Sequence, residues 1–110
     1  MTNNQINTRY RLTKEQILDE RPHACYNCGI PRFITPSHTI AQKDCKNYGH
    51  PELIWDEDNI ELLCIPCHER WERRDRTLKI FPRLIKYVED TCNRLKIEGL
   101  YERYQYTSEK

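Results

Sequence analysis

Two CxxC pairs, Cys25-Tyr-Asn-Cys28 and Cys64-Ile-Pro-Cys67, constrain this chain more than any other feature. A CxxC turn sets two thiolates at neighbouring corners of a tetrahedron, and two such turns complete a four-sulfur site of the kind zinc takes. Gly29 follows the first pair and suits the knuckle, whose tight turn calls for a residue able to take positive φ. A disulfide pair or a redox CxxC is the alternative reading of the same spacing. Composition says why a staple is needed: of 110 residues, 37% are hydrophobic and 32% charged, which leaves a thin core. Cys45 and Cys92 lie outside the pattern, Cys92 as a small core residue on an apolar helix face.

The chain has length for one domain, expected over 13–110 behind a flexible arm at 1–12 that is rich in Asn and Thr. Thr13 with Gln16 reads as a capping box, predicting a helix over 13–20 that Pro22 ends. Residues 25–67 lack helical periodicity and carry Pro31, Pro36, Gly49 and Pro51, with a β-type run at Arg32–Thr35. Asp56–Asn59 reads as a turn and Ile60–Leu63 as a buried strand entering Cys64. Pro66 suits a first helical turn that the charged run to Arg76 continues. Phe81, Leu84, Ile85, Val88, Cys92 and Leu95 recur at spacings of three and four, predicting an amphipathic helix over 82–97 with Gly99 just beyond. Tyr101, Tyr104 and Tyr106 fall in a tail that packs as a last turn or frays. The longest apolar run, Leu62–Ile65, is too short to cross a bilayer, and the polar opening has no apolar signal region. The expected compartment is a reducing cytoplasm, where cysteines read as metal ligands.

The thirty-five residues 29–63 between the pairs exceed what a minimal zinc ribbon needs. Within and just after them stand His38 in Pro-Ser-His-Thr-Ile, Asn59 in Asp-Asn-Ile-Glu-Leu-Leu-Cys, and His68 directly after Cys67. In that order, with Asn59-Ile-Glu-Leu-Leu-Cys64-Ile-Pro-Cys67-His68, the segment 25–72 resembles the zinc-knuckle form of the HNH endonucleases, in the ββα-metal (His-Me finger) superfamily. The resemblance implies a small α+β fold: a zinc-stapled ββα-metal core flanked by an N-terminal and a C-terminal helix. It implies metal-dependent hydrolysis of DNA phosphodiester bonds in a bacterial or phage-infected cell, nicking as a monomer and cutting both strands as a homodimer.

Hydrolysis of a phosphodiester needs a base to activate water and a cation to stabilise charge on phosphate and leaving oxygen. Carried over, His38 is the general base, since imidazole titrates near neutrality. His68 is a ligand of a catalytic divalent ion, Mg²⁺ or else Mn²⁺ or another transition metal. Asn59 holds the hairpin and orients His38, or reaches the ion, while Cys25, Cys28, Cys64 and Cys67 hold a separate structural Zn²⁺. The bland alternatives are a strand histidine, a turn asparagine and a histidine bonded to its knuckle. His23 and His50 match nothing in the motif and read as surface residues. In much of the family the residue before the base is Asp, His or Glu and binds the ion. Here it is Ser37, a weak ligand at best, with Asp44, His50 and Asp58 as substitutes.

The net charge of +1 conceals a division. Seven basic residues lie between Glu69 and Lys86 against three acids, while Glu52–Glu61 holds five acids and no Lys or Arg. Arg70, Arg73, Arg74, Arg76 and Lys79 are thus candidate phosphate contacts on DNA. The bland reading is a solvated helix laced by pairs such as Glu69 with Arg73 and Glu72 with Arg76. Trp71 reads as a core anchor. The rival function is a non-catalytic zinc module that binds nucleic acid or a protein on a degenerate HNH scaffold.

Overall fold

The computed structural model describes residues 2–105; Tyr106 of the predicted tail lies outside them. Among the described residues there are five α-helices and one two-stranded antiparallel sheet, an α+β arrangement. Strand β1 (Ile34–His38) pairs with β2 (Ile60–Cys64) so that Ile34 faces Cys64 and His38 faces Ile60. Helix α3 (Ile65–Glu72) follows β2 without a linker, with Pro66 in its first turn where a missing amide costs nothing.

The N-terminal arm expected at 1–12 is instead helical. Helix α1 runs Asn3–Glu20, and its capping box is at Thr2, whose hydroxyl accepts from the Gln5 amide at 3.2 Å while the Gln5 side chain accepts from the Thr2 amide at 2.8 Å. Thr13, the expected cap, donates its hydroxyl to the Trp55 carbonyl at 2.9 Å instead. Apolar periodicity fails to mark α1 because only Ile6 and Ile17 are buried along it. Ile17 seals one face of β2 against Ile60 and Leu62, and Ile6 enters the main core. With α1 on one side and the main core on the other, all five residues of β2 are buried.

Three other boundaries move. The strand expected at Arg32–Thr35 begins at Ile34, because Phe33 has a left-handed backbone with φ 59°. A short helix α2 (Gln42–Asn47), too polar and brief to show a period, interrupts the region read as loop and hairpin. The charged helix stops at Glu72 rather than Arg76, since Arg74 turns left-handed with φ 56°. Helix α4 (Phe81–Leu95) carries the predicted apolar stripe through Leu84, Val88 and Cys92 and ends at Lys96, φ 58°. Helix α5 (Leu100–Gln105) packs on α4 and buries Leu100 and Tyr104. Trp71 anchors the core as expected, with Phe81 at 5.6 Å and Tyr104 at 6.2 Å between ring centroids, and its indole N–H donates to the Thr39 carbonyl at 3.1 Å.

If α1 is an integral layer, Ile6→Ala lowers unfolding free energy by about 2–5 kcal/mol, as for other buried isoleucines. Urea denaturation reads this directly, and an unchanged midpoint would restore the flexible arm.

Candidate metal centre and histidine cleft

The first CxxC lies in the loop after α1 and the second at the junction of β2 and α3, so the hairpin itself brings them together. The Tyr26 amide donates to Leu62 O at 2.8 Å and the Ile65 amide to Phe33 O at 2.9 Å, which ties both turns to the strands. Within the first knuckle, Gly29 has φ 81° as its position demanded, and its amide closes the turn on Cys25 O at 2.8 Å. The four sulfurs of Cys25, Cys28, Cys64 and Cys67 all lie within 4.8 Å of one another, with Cys28 and Cys64 3.7 Å apart. A zinc–sulfur distance of about 2.3 Å sets tetrahedral edges of about 3.8 Å, so the donor set fits that ion.

Hydrogen bonds favour the thiolate at Cys25, while burial opposes it at Cys64 and Cys67. The Cys28 amide donates to Cys25 Sγ at 3.4 Å, and Asn27 Nδ2 to Cys67 Sγ at 3.3 Å. Burial pushes the Cys25 thiol up, but amides of Cys64, Cys28 and Asn27 outweigh it and bring its pKa to about 6. Burial holds Cys67 up, to about 12, although Asn27 opposes it. The Asn27 carbonyl accepts from the Ile80 amide at 3.0 Å, coupling the knuckle to the start of α4. Cys45 and Cys92 are buried away from the cluster, Cys45 with its thiol donated to Ile40 O at 3.5 Å.

His38, at the end of β1, and His68, in the first turn of α3, line one cleft of about 450 Å³. The Ile54 carbonyl lies 2.8 Å from His38 Nε2; a carbonyl can only accept, so Nε2 carries the proton and Nδ1 keeps a free lone pair. Burial pushes His38 below the usual histidine range, against the pull of the Ile54 carbonyl, and nearby His68 pushes the same way. Tyr10 of α1 covers the imidazole, ring centroids 4.8 Å apart, and also lines the cleft. His68 Nε2 meets Glu72 Oε2 at 3.3 Å, one helical turn on. The helix pair expected between Glu72 and Arg76 is therefore replaced.

Asn59 is fully buried beneath this cleft. Its side-chain oxygen accepts from the Ile40 amide at 2.7 Å, and its NH₂ donates to Ile40 O at 3.1 Å and Leu53 O at 2.9 Å. With its NH₂ donors and one lone pair of its oxygen bonded to backbone, Asn59 ties the chain after β1 to the 3₁₀ turn Pro51–Trp55. These bonds fit the positional alternative for Asn59.

Ser37 is also corrected as a ligand. Side chains alternate along a strand, and Ser37 is buried opposite Glu61, outside the cleft that His38 lines. None of the substitutes reaches that cleft: Asp44 is held by Arg103 at 3.2 Å and by the Tyr104 hydroxyl, and His50 by Glu52 at 2.9 Å. Asp58 faces a second cleft with Glu61 and Arg83. Among the described residues the four cysteines form the one group of three or more such ligands. His23 is exposed, as expected.

The five candidate phosphate contacts separate in space. Arg70 Nε is paired with Asp75 at 2.8 Å, and Arg76 lies over the Phe81 ring and donates to Gln105 O. Arg73 and Lys79 are exposed and outside the histidine cleft, whereas Arg74 lines it. Tyr10, Gln42 and Glu72 complete its polar wall; Tyr10 and Gln42 bore no sequence signal and come to it through packing, whereas Glu72 lies one helical turn from His68. Compared with protein-family models, curated proteins and solved structures, the chain matches none.

Two measurements probe these sites. Stripping zinc with a strong chelator abolishes cooperative thermal melting, because a thin core depends on the sulfur cluster. In an NMR titration the His38 ring protonates below the usual histidine midpoint of about 6.5. The unfolded chain then binds the proton more readily, so stability contributed at this site is present above about pH 6.5 and is lost as pH falls through the lower folded value. A midpoint at or above 6.5 would contradict the burial of that ring.

Proposed function

We propose that this chain is a metal-dependent endonuclease of the HNH type that hydrolyses DNA phosphodiester bonds. What carries the reading is the convergence of His38 and His68 in one cleft, with His38 Nδ1 left free as an acceptor by the Ile54 carbonyl. In this reading Nδ1 takes a proton from water, the water oxygen bonds to phosphorus, and the P–O bond to the leaving oxygen breaks with its electron pair. That oxygen is reprotonated by solvent. Asn59 acts through position alone, holding the Ile40 and Leu53 carbonyls beside the loop that presents Ile54 to His38.

The residues suited to a catalytic divalent ion are His68 and Glu72, one nitrogen and one carboxylate oxygen on successive turns of α3. So sparse a donor set fits an ion that keeps most of its waters, as Mg²⁺ does. When bound, such an ion supplies Lewis acidity at the phosphate. The neutral Ser37 and the lack of a second three-ligand group among the described residues favour the other reading, a non-catalytic zinc module that binds nucleic acid.

A plasmid assay separates the two. Zinc-loaded protein converts supercoiled DNA to open circles with Mg²⁺ or Mn²⁺, and His38→Ala slows the conversion by about 10²–10⁴-fold. DNA left intact with both ions would leave the zinc-module reading standing, and a fully active His38→Ala would reassign the base. Glu72→Gln raises the Mg²⁺ concentration needed for half-maximal cutting.

A further inference from the structure

Arg74 differs from every other basic side chain on this face. Its guanidinium packs against two aromatic rings, 4.5 Å from the Trp71 ring centre and 3.9 Å from that of Tyr104. Nη1 donates to Trp71 O at 2.6 Å, and the Arg74 amide donates to the same carbonyl at 2.8 Å. The residue's φ of 56° is that of the left-handed cap ending α3, with the Asp75 amide on Arg70 O at 2.9 Å, and this cap fixes where its side chain leaves the helix. Among the described residues no carboxylate pairs with it, since Asp44, the acid whose field reaches it, is occupied by Arg103 and the Tyr104 hydroxyl. A half-buried cation without a counter-ion is costly, and Arg74 pays that cost while lining the cleft of His38 and His68.

We infer that Arg74 is the oxyanion-binding residue of this cleft, gripping the non-bridging oxygens of the phosphodiester presented to His38. The identification of that anion as a DNA phosphate rests on the nuclease reading. A guanidinium carries five N–H donors in a planar fork that matches phosphate geometry, and most of them remain for a ligand once Trp71 O is bound. The two rings and the bond to Trp71 O hold the guanidinium in place, so little reorganisation accompanies binding. Negative charge on these oxygens grows as the water oxygen bonds to phosphorus, which makes the contact stronger in the transition state than in the bound substrate. Arg70 and Arg76 are already bound elsewhere, and Arg73 and Lys79 lie outside the cleft, so they contribute at most to general attraction for the backbone.

The chain has two tryptophans, so Trp55→Phe leaves Trp71, the ring against the guanidinium, as the sole indole, excited selectively over the tyrosines. In that background, without added divalent ion, a short DNA duplex is expected to change the emission saturably, and Arg74→Gln is expected to abolish the change. In single-turnover cutting at saturating duplex, Arg74→Gln is expected to lower the rate by about 100-fold with Kd raised less than about tenfold. Arg73→Gln weakens binding and leaves the saturating rate unchanged. An emission response that survives Arg74→Gln, or a saturating rate within about twofold of wild type, overturns the inference. If the parent protein leaves DNA uncut with both Mg²⁺ and Mn²⁺, the nuclease reading fails while the emission titration still decides whether Arg74 holds the phosphate. Should Arg74→Gln lose its zinc or its cooperative melt, Arg74→Lys, which keeps the charge without the fork, takes its place. About a tenfold slower saturating rate at unchanged melting temperature then supports the fork, and a wild-type rate rules it out.

Discussion

The gathering of four sulfurs from two distant turns is the constraint on which the remaining geometry depends. Cys64 ends β2 and Cys67 lies in the first turn of α3, so whatever holds Cys25 and Cys28 against them also sets the angle at which helix leaves strand. His68 comes one residue after Cys67 and inherits that angle. Asn27 extends the same control outward, bonding one knuckle sulfur and the backbone at the start of α4. A core this sparse in apolar residues would leave those relations loose, and a metal ion shared by the four sulfurs would make them rigid.

Around that staple the protein positions its histidines by opposite means. His68 is fixed by covalent proximity to a ligand, whereas His38 is fixed by its surroundings: the Ile54 carbonyl at one nitrogen and the Tyr10 ring on its face. The Ile54 contact depends on the Pro51–Trp55 turn, which Asn59 ties to the end of β1 through three backbone hydrogen bonds. One buried amide thus braces the turn whose Ile54 carbonyl meets His38. The contribution of α1 is similar in kind, since its helical course is needed to place Tyr10 over the imidazole while Ile17 covers β2.

Charge is distributed on the same principle. Within the near-neutral total, several acids and bases are spent on one another, as in Arg70 with Asp75, Arg103 with Asp44, and Arg21 and Arg83 with the buried Glu61. What remains without a carboxylate inside a cleft is therefore informative. Arg74 is held by aromatic rings, which orient a cation without neutralising it.

Local patterns in the sequence by themselves determined the four-cysteine cluster, the buried strand at Ile60, the apolar stripe of α4 and the anchoring role of Trp71. Each depends on short-range spacing: a CxxC turn, a continuous apolar run, a period of three and four. The same patterns singled out His38 and His68, and tertiary structure brought the two into one cleft. Tertiary structure alone decided the rest, because the deciding contacts join residues far apart in the chain. Helix α1 is polar along most of its length and becomes a layer only because β2 offers it an apolar face. Ser37 and His38 are adjacent in sequence, yet strand alternation sends them to opposite sides, so the serine does not reach the cleft. Five basic residues look equivalent along the chain, and only packing against Trp71 and Tyr104 distinguishes Arg74 from the others.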